Sequence, residues 1–99
     1  MFGLGGIYVE ILKDVAFRTA PVSSIEALSM IREIRTYPLV SGYRGAEPMD
    51  QHALADLIEK ISTIINQFTE IEAIDLNPVI ARPDGYTIVD ARVILRKVP

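Results

Sequence analysis

The sequence predicts an α+β fold, an antiparallel sheet with two helices on one face, in the order ββ-α-α-ββ. Three observations predict it. Apolar residues recur at helical spacing from Leu54 to Phe68. A shorter helical stripe with its own start signal occupies residues 23–34. Strand-like runs lie at both ends of the chain, each pair joined by a short turn. The length of 99 residues suits one domain, 1–99, with no repeat, linker or low-complexity tract to divide it.

Ile7–Leu12 and Val15–Ala20 are rich in β-branched and aromatic residues and read as two strands turning at Lys13-Asp14, with Pro21 ending the second. Ser23-Ser24-Ile25-Glu26 has capping-box spacing, and Ala27, Met30, Ile31 and Ile34 follow on one helical face. That helix must stop before Pro38, because the residue preceding a proline is pushed out of helical geometry. Residues 36–49, with Pro38, Gly42, Gly45 and Pro48, read as a long loop with Leu39 and Val40 tucked inward. Asp50 is the N-cap of the second helix, whose stripe is Leu54, Leu57, Ile58, Ile61, Ile64, Ile65 and Phe68. Asp56, Glu59, Lys60, Ser62 and Thr63 fall opposite it. Ile71–Arg82 and Tyr86–Arg96 form a long hairpin about Pro83-Asp84-Gly85.

Composition narrows the function. The formal charge is −3, and no basic run or basic-aromatic stripe offers a nucleic-acid footprint. No apolar run reaches the ~18 residues that span a bilayer, and the N-terminus lacks the positive region of a signal peptide. Cysteine is absent, which removes disulfides, thiolate metal sites and cysteine nucleophiles and fits a cytoplasmic protein. The apolar fraction of 49% and mean hydropathy of +0.27 suit either a dense core or a surface that expects a partner.

The chemistry concentrates on the hairpin. Alternation places Asp75 and Asn77 on one face of the third strand, and Asp90 and Arg92 on one face of the fourth. A turn centred on Asp84 sets residue 78 opposite residue 90, so Asn77 and Asp90 are near neighbours and Asp75 lies one pleat further along. Two carboxylates at ~4 Å repel by about 4 kcal/mol at an effective dielectric near 20. They are therefore either a solvated face with Arg92 as local counter-charge, or a cation site suited to Mg²⁺. Gly3-Leu4-Gly5-Gly6 lets a backbone approach a phosphate, yet it has neither the dinucleotide pattern nor a Walker lysine, and it also reads as a tight turn. Arg44, between Gly42 and Gly45, is placed either to present its fork to an anion or simply to sit solvated in its loop. His52 has no Ser, Cys or second His at catalytic spacing and reads as a surface residue, so no catalytic nucleophile or base is assigned.

Phe2-Gly-Leu-Gly-Gly-Ile-Tyr-Val-Glu-Ile-Leu-Lys-Asp-Val-Ala-Phe-Arg18, Tyr43-Arg-Gly45, Glu72-Ala-Ile-Asp-Leu-Asn-Pro-Val79 and Val89-Asp-Ala-Arg92 together resemble one family. It is the C-terminal part of the ATP-grasp domain of NDP-forming acyl-CoA synthetases, such as ADP-forming acetyl-CoA synthetase, with succinyl-CoA synthetase β-subunits more distant. The resemblance runs along essentially the whole chain. It implies an enzyme that couples acyl-CoA cleavage to ATP formation through a phosphohistidine, with ATP or ADP and Mg²⁺ as cofactors. Asn77 and Asp90 match the family's metal ligands, Asp75 an auxiliary acid, Gly5 and Gly6 its glycine-rich segment, and Arg44 its loop arginine. It also implies a partial ATP-grasp domain: the adenine-covering subdomain, the CoA domain and the phosphorylated histidine belong to complementary synthetase domains or a complementary subunit. A non-catalytic regulatory or binding module acting by association is the alternative, and the apolar surface makes self-association an expectation of either.

Overall fold

The computed structural model describes residues 1–97. Ten elements follow one another: β1 (Phe2–Gly3), α1 (Gly6–Glu10), β2 (Val15–Ala16), α2 (Ser24–Glu33), α3 (Tyr37–Ser41), α4 (Gln51–Gln67), β3 (Ile71–Leu76), β4 (Val79–Arg82), β5 (Gly85–Ile88) and β6 (Ala91–Leu95). All strand pairs are antiparallel: β1 with β2, β3 with β6 and β4 with β5. The α+β class stands.

The expected first strand is not a strand. Gly6–Glu10 is a short helix, closed by Ile11 and Leu12 amides donating to the Ile7 carbonyl at 3.0 Å. Gly5 (φ 76°) and Gly6 (φ 52°) are both left-handed and turn the chain out of β1. Val9 then returns over β1, where a Cβ on Gly3 would meet the Val9 side chain at 2.8 Å. Residues 7–12 have no neighbouring strand, so β propensity has nothing to act on.

Helix α2 forms as its local signals require. The Ser23 hydroxyl accepts from the Glu26 amide at 3.2 Å and donates to the Glu26 carboxylate at 3.1 Å. Ala27, Met30, Ile31 and Ile34 are all buried, with Ile31 wholly inaccessible. The helix ends at Glu33, ahead of Pro38. The expected loop of residues 36–49 contains helix α3, which carries Pro38 in its first turn, where a missing N–H costs nothing. Val40 is wholly buried there.

Asp50 caps α4, its carboxylate accepting from the Ala53 amide at 3.0 Å. Leu54 and Ala55 join the α2 residues in the core, and Leu57 is also buried. Three positions depart from the expected stripe. Ser62, assigned to the wet side, is buried, accepting from the Val22 amide at 2.8 Å and donating to the Val22 and Glu59 carbonyls. Ile64 and Phe68, assigned to the core, are exposed. A serine whose hydroxyl is fully bonded can be buried at little cost, whereas a stripe is buried only where a neighbouring element lies over it.

The N-terminal lobe is tied down by Asp14. Its side chain is only 5% exposed and accepts from the Arg35 amide at 2.7 Å, the Thr36 amide at 2.9 Å and the Thr36 hydroxyl. The Thr36 hydroxyl, above all, holds the carboxyl below the usual carboxylate range, aided by the two amides and the Arg35 charge against the opposing effect of burial.

The C-terminal hairpin runs back along α4, from Phe68, whose carbonyl accepts from Ile71, to Arg82, whose carbonyl accepts from Asp50 at 2.9 Å. In its outer half β3 lies against α4, while every residue of β6 is exposed, including Val93 at 56% and Leu95 at 63%. The radius of gyration is 14.0 Å, with extents of 53 × 28 × 22 Å, longer than the ~13 Å of a compact chain of this size.

Two stability measurements test this account. Ile31→Ala should cost about 2–5 kcal/mol in denaturant unfolding, while Ile25→Ala, at an exposed position, should change it by less than about 0.5 kcal/mol. Because the folded carboxyl of Asp14 titrates below its unfolded value, its contribution is complete above the ordinary carboxylate range and disappears as pH falls through the depressed folded value. Asp14→Asn should therefore lower the thermal midpoint at pH 7 and shrink the difference between pH 7 and pH 3; an unchanged difference would refute the role.

Candidate functional site

The hairpin is continuous but divided. Val79–Arg82 pairs with Gly85–Ile88 around a two-residue turn, Pro83-Asp84, and Leu76 pairs with Ala91. This register sets residue 77 opposite 90 and residue 78 opposite 89, one step from the arrangement expected for a turn centred on Asp84. The correction follows from turn length: a two-residue loop has its centre between residues 83 and 84. It brings Asn77 and Asp90 directly face to face.

Between the two halves, Pro78 has no N–H to give to a ladder. The chains remain joined there by the Asn77 amide donating to the Asp90 carbonyl at 3.1 Å and the Val89 amide donating to the Pro78 carbonyl at 3.0 Å. Asn77 and Asp90 thus flank the break between the two halves of the hairpin, and both are exposed. On β3, Ile74 and Leu76 are half-buried on the inner face, while Asp75 is exposed on the outer face with Asn77. Asp75 pairs with Arg92.

Among the described residues no three His, Cys, Asp or Glu side chains could by themselves hold a metal ion. One amide and one carboxylate oxygen on an open face are a different kind of donor set. They fit a hard cation that keeps waters and takes its other ligands from phosphate oxygens, as Mg²⁺ does at nucleotide sites. They do not fit a self-sufficient calcium or zinc cage.

The other sequence candidates lie elsewhere in the fold. Gly5 and Gly6 form the turn from β1 into α1, and a Cβ on either would meet nothing within 4 Å, so that backbone is open to approach. Arg44 lies between α3 and α4 at φ 54°, between Gly42 (φ 104°) and Gly45 (φ 80°), with its guanidinium 5.4 Å from the centre of the Tyr43 ring. Gly42 is obligatory there, since a Cβ would meet the Ala46 carbonyl oxygen at 2.7 Å. No hydrogen bond or ion pair among the described residues links these groups to Asn77 or Asp90. His52 is exposed on the first turn of α4. Asp14 is the polar residue that sequence reasoning passed over: its partners lie more than twenty residues downstream and are mostly backbone amides, which leave no side-chain signature.

Known proteins match this chain along almost all of its length. It is 54% identical over 95 residues to the β-subunit of ADP-forming acetate–CoA ligase I from Pyrococcus furiosus, covering 96% of this chain and 41% of that one. It is 46% identical over 95 residues to ADP-forming acetate–CoA ligase I of Archaeoglobus fulgidus, of which it covers 14%. An acetyl-coenzyme A synthetase of Ca. Korarchaeum cryptofilum, solved with coenzyme A and Mg-AMPPCP and with its phosphohistidine segment pointing towards the nucleotide site, superposes with a TM-score of 0.89 at 50% identity. That match covers 95% of this chain and 44% of that one. The chain therefore spans less than half the length of these relatives. The ATP-grasp domain family matches residues 1–95, and the chain belongs to it.

Proposed function

We propose that this chain supplies metal and phosphate ligands to the nucleotide site of an ADP-forming acyl-CoA synthetase, in a reaction that couples acyl-CoA cleavage to ATP formation. The observation that carries this reading is the register that sets Asn77 opposite Asp90, in a chain half-identical to such enzymes. Asn77 and Asp90 would hold Mg²⁺, with Asp75 one pair along as an auxiliary acid. When bound, the ion neutralises charge on the nucleotide phosphates. The two side chains orient those phosphates on the open face of the hairpin, and the strand backbone fixes their spacing. Arg44 and the Gly5–Gly6 turn contribute anion contacts from other elements once the site is assembled.

The site is completed by complementary synthetase domains or by a separate subunit. Relatives exist in both forms, as a β-subunit and as a longer single chain. The exposed apolar arm of β6 favours association in either case. It also keeps a second reading in play, a module that associates without binding nucleotide.

In the assembled synthetase, Asp90→Ala should lower kcat for ATP formation by at least about 100-fold. Calorimetry should show Mg²⁺-dependent ADP binding lost at the same time. Near-normal turnover would sink the reading, and wild-type protein that associates firmly without binding nucleotide would favour the second. Arg44→Gly separates a ligand role from a structural one. Relief of a left-handed side chain, worth about 1–2 kcal/mol, offsets the glycine entropy cost of roughly 0.5–1 kcal/mol. Stability should therefore hold within about 1 kcal/mol while nucleotide binding weakens; unchanged binding would remove Arg44 from the site.

A further inference from the structure

We propose that Arg92 is a catalytic residue whose guanidinium contacts the phosphoryl group being transferred at the Asn77–Asp90 site. This rests on the metal-nucleotide reading above and goes beyond it, because nothing in the donor set itself requires an arginine.

The register is the first support. Arg92 pairs with Asp75, and Leu76 with Ala91. Residues opposite one another share a face, so Arg92 lies on the outer face with Asp75, one step along from Asn77 and Asp90. Two residues of strand separate Arg92 from Asp90, roughly 7 Å of rise. A guanidinium on its flexible stem covers that distance.

The second support is that this guanidinium is uncommitted. Arg18, Arg35, Arg82 and Arg96 each donate to a carboxylate or carbonyl. Among the described residues Arg92 makes no side-chain hydrogen bond and no ion pair, although Asp75 stands opposite. Closing on Asp75 would gain little, because water and salt screen a pair of exposed charges. A bidentate contact to phosphate is the stronger use of a planar fork.

Charge completes the case. Asp75 and Asp90 together balance one divalent cation, so the phosphate arriving with the nucleotide needs a further positive group. Arg92 is the cation that the register puts beside them. In the step itself, a bond forms between a β-phosphate oxygen of ADP and the phosphorus. The bond from phosphorus to the donor, a phosphorylated imidazole, breaks, and the imidazole nitrogen keeps the electron pair. Arg92 gives up no proton; it holds the charge spread over the equatorial oxygens.

The test uses the assembled synthetase carrying Arg92→Gln, Arg92→Lys or Asp90→Ala. For Arg92→Gln, kcat for ATP formation should fall about 100-fold. Calorimetry should show binding of a non-hydrolysable ATP analogue weakened about tenfold while Mg-ADP binding is nearly unchanged, and added guanidinium should restore part of the rate. Arg92→Lys, which keeps the charge without the fork, should fall between the two. Wild-type kcat and analogue binding in Arg92→Gln, with Asp90→Ala inactive, would overturn the role of Arg92 alone. An active Asp90→Ala would overturn the metal-nucleotide reading and this inference together. If Arg92→Gln does not fold, Arg92→Lys decides: an analogue affinity equal to wild type overturns the proposal, and a loss supports it.

Discussion

A single carboxylate joins the two ends of the compact part of this protein. Asp14 follows the α1 turn and takes three donors from Arg35 and Thr36, at the junction where α2 ends and α3 begins. Those amides lie at a part-buried junction, where a donor left unbonded carries a cost. By satisfying them, Asp14 fixes the N-terminal lobe against the helical layer and sets where α3 starts. Val40 can then enter the core, and the α3–α4 loop closes through the Met49 amide onto the Val40 carbonyl at 2.8 Å. Asp50, next in the chain, caps α4 and reaches the Arg82 carbonyl. The hairpin tip is therefore positioned by a series of contacts that begins at Asp14.

The hairpin obeys a different constraint. Its inner half packs on the core through Val79, Ala81 and Tyr86. Its outer half is held by its own pairing, by β3 lying against α4, and by the carbonyl of Glu70, which accepts from the Arg96 amide at 2.8 Å. Asn77 and Asp90 sit at the joint between them. Side chains at such a joint keep one anchor in a packed frame while their other side stays open to solvent.

The parts of this architecture that were readable from sequence are those set by neighbours in the chain. The Ser23 cap, the stripe of Ala27, Met30, Ile31 and Ile34, and the Asp50 cap all depend on residues within a turn or two. The errors share the opposite cause. Ile7–Leu12 has strand composition, but two left-handed glycines and the absence of a neighbouring strand decide otherwise. Ser62 looks like a surface residue until Val22, forty positions away, supplies its partners. The adjacency of Asn77 and Asp90 follows from alternation along the hairpin, while the register differs by one residue because a two-residue turn and a three-residue turn share the same Pro-Asp-Gly sequence.

The bare edge of β6 has a consequence for how the protein must be kept in solution. Ala91-Arg92-Val93-Ile94-Leu95 is a short, nearly neutral β segment with one charge and no proline, and among the described residues its outer hydrogen-bonding groups lack a strand. Such an edge templates the addition of further copies as readily as it accepts a proper partner. Solubility will thus depend on stoichiometry: copies in excess of whatever covers β6 are the ones that aggregate, and Arg92 is the only gatekeeper within the strand.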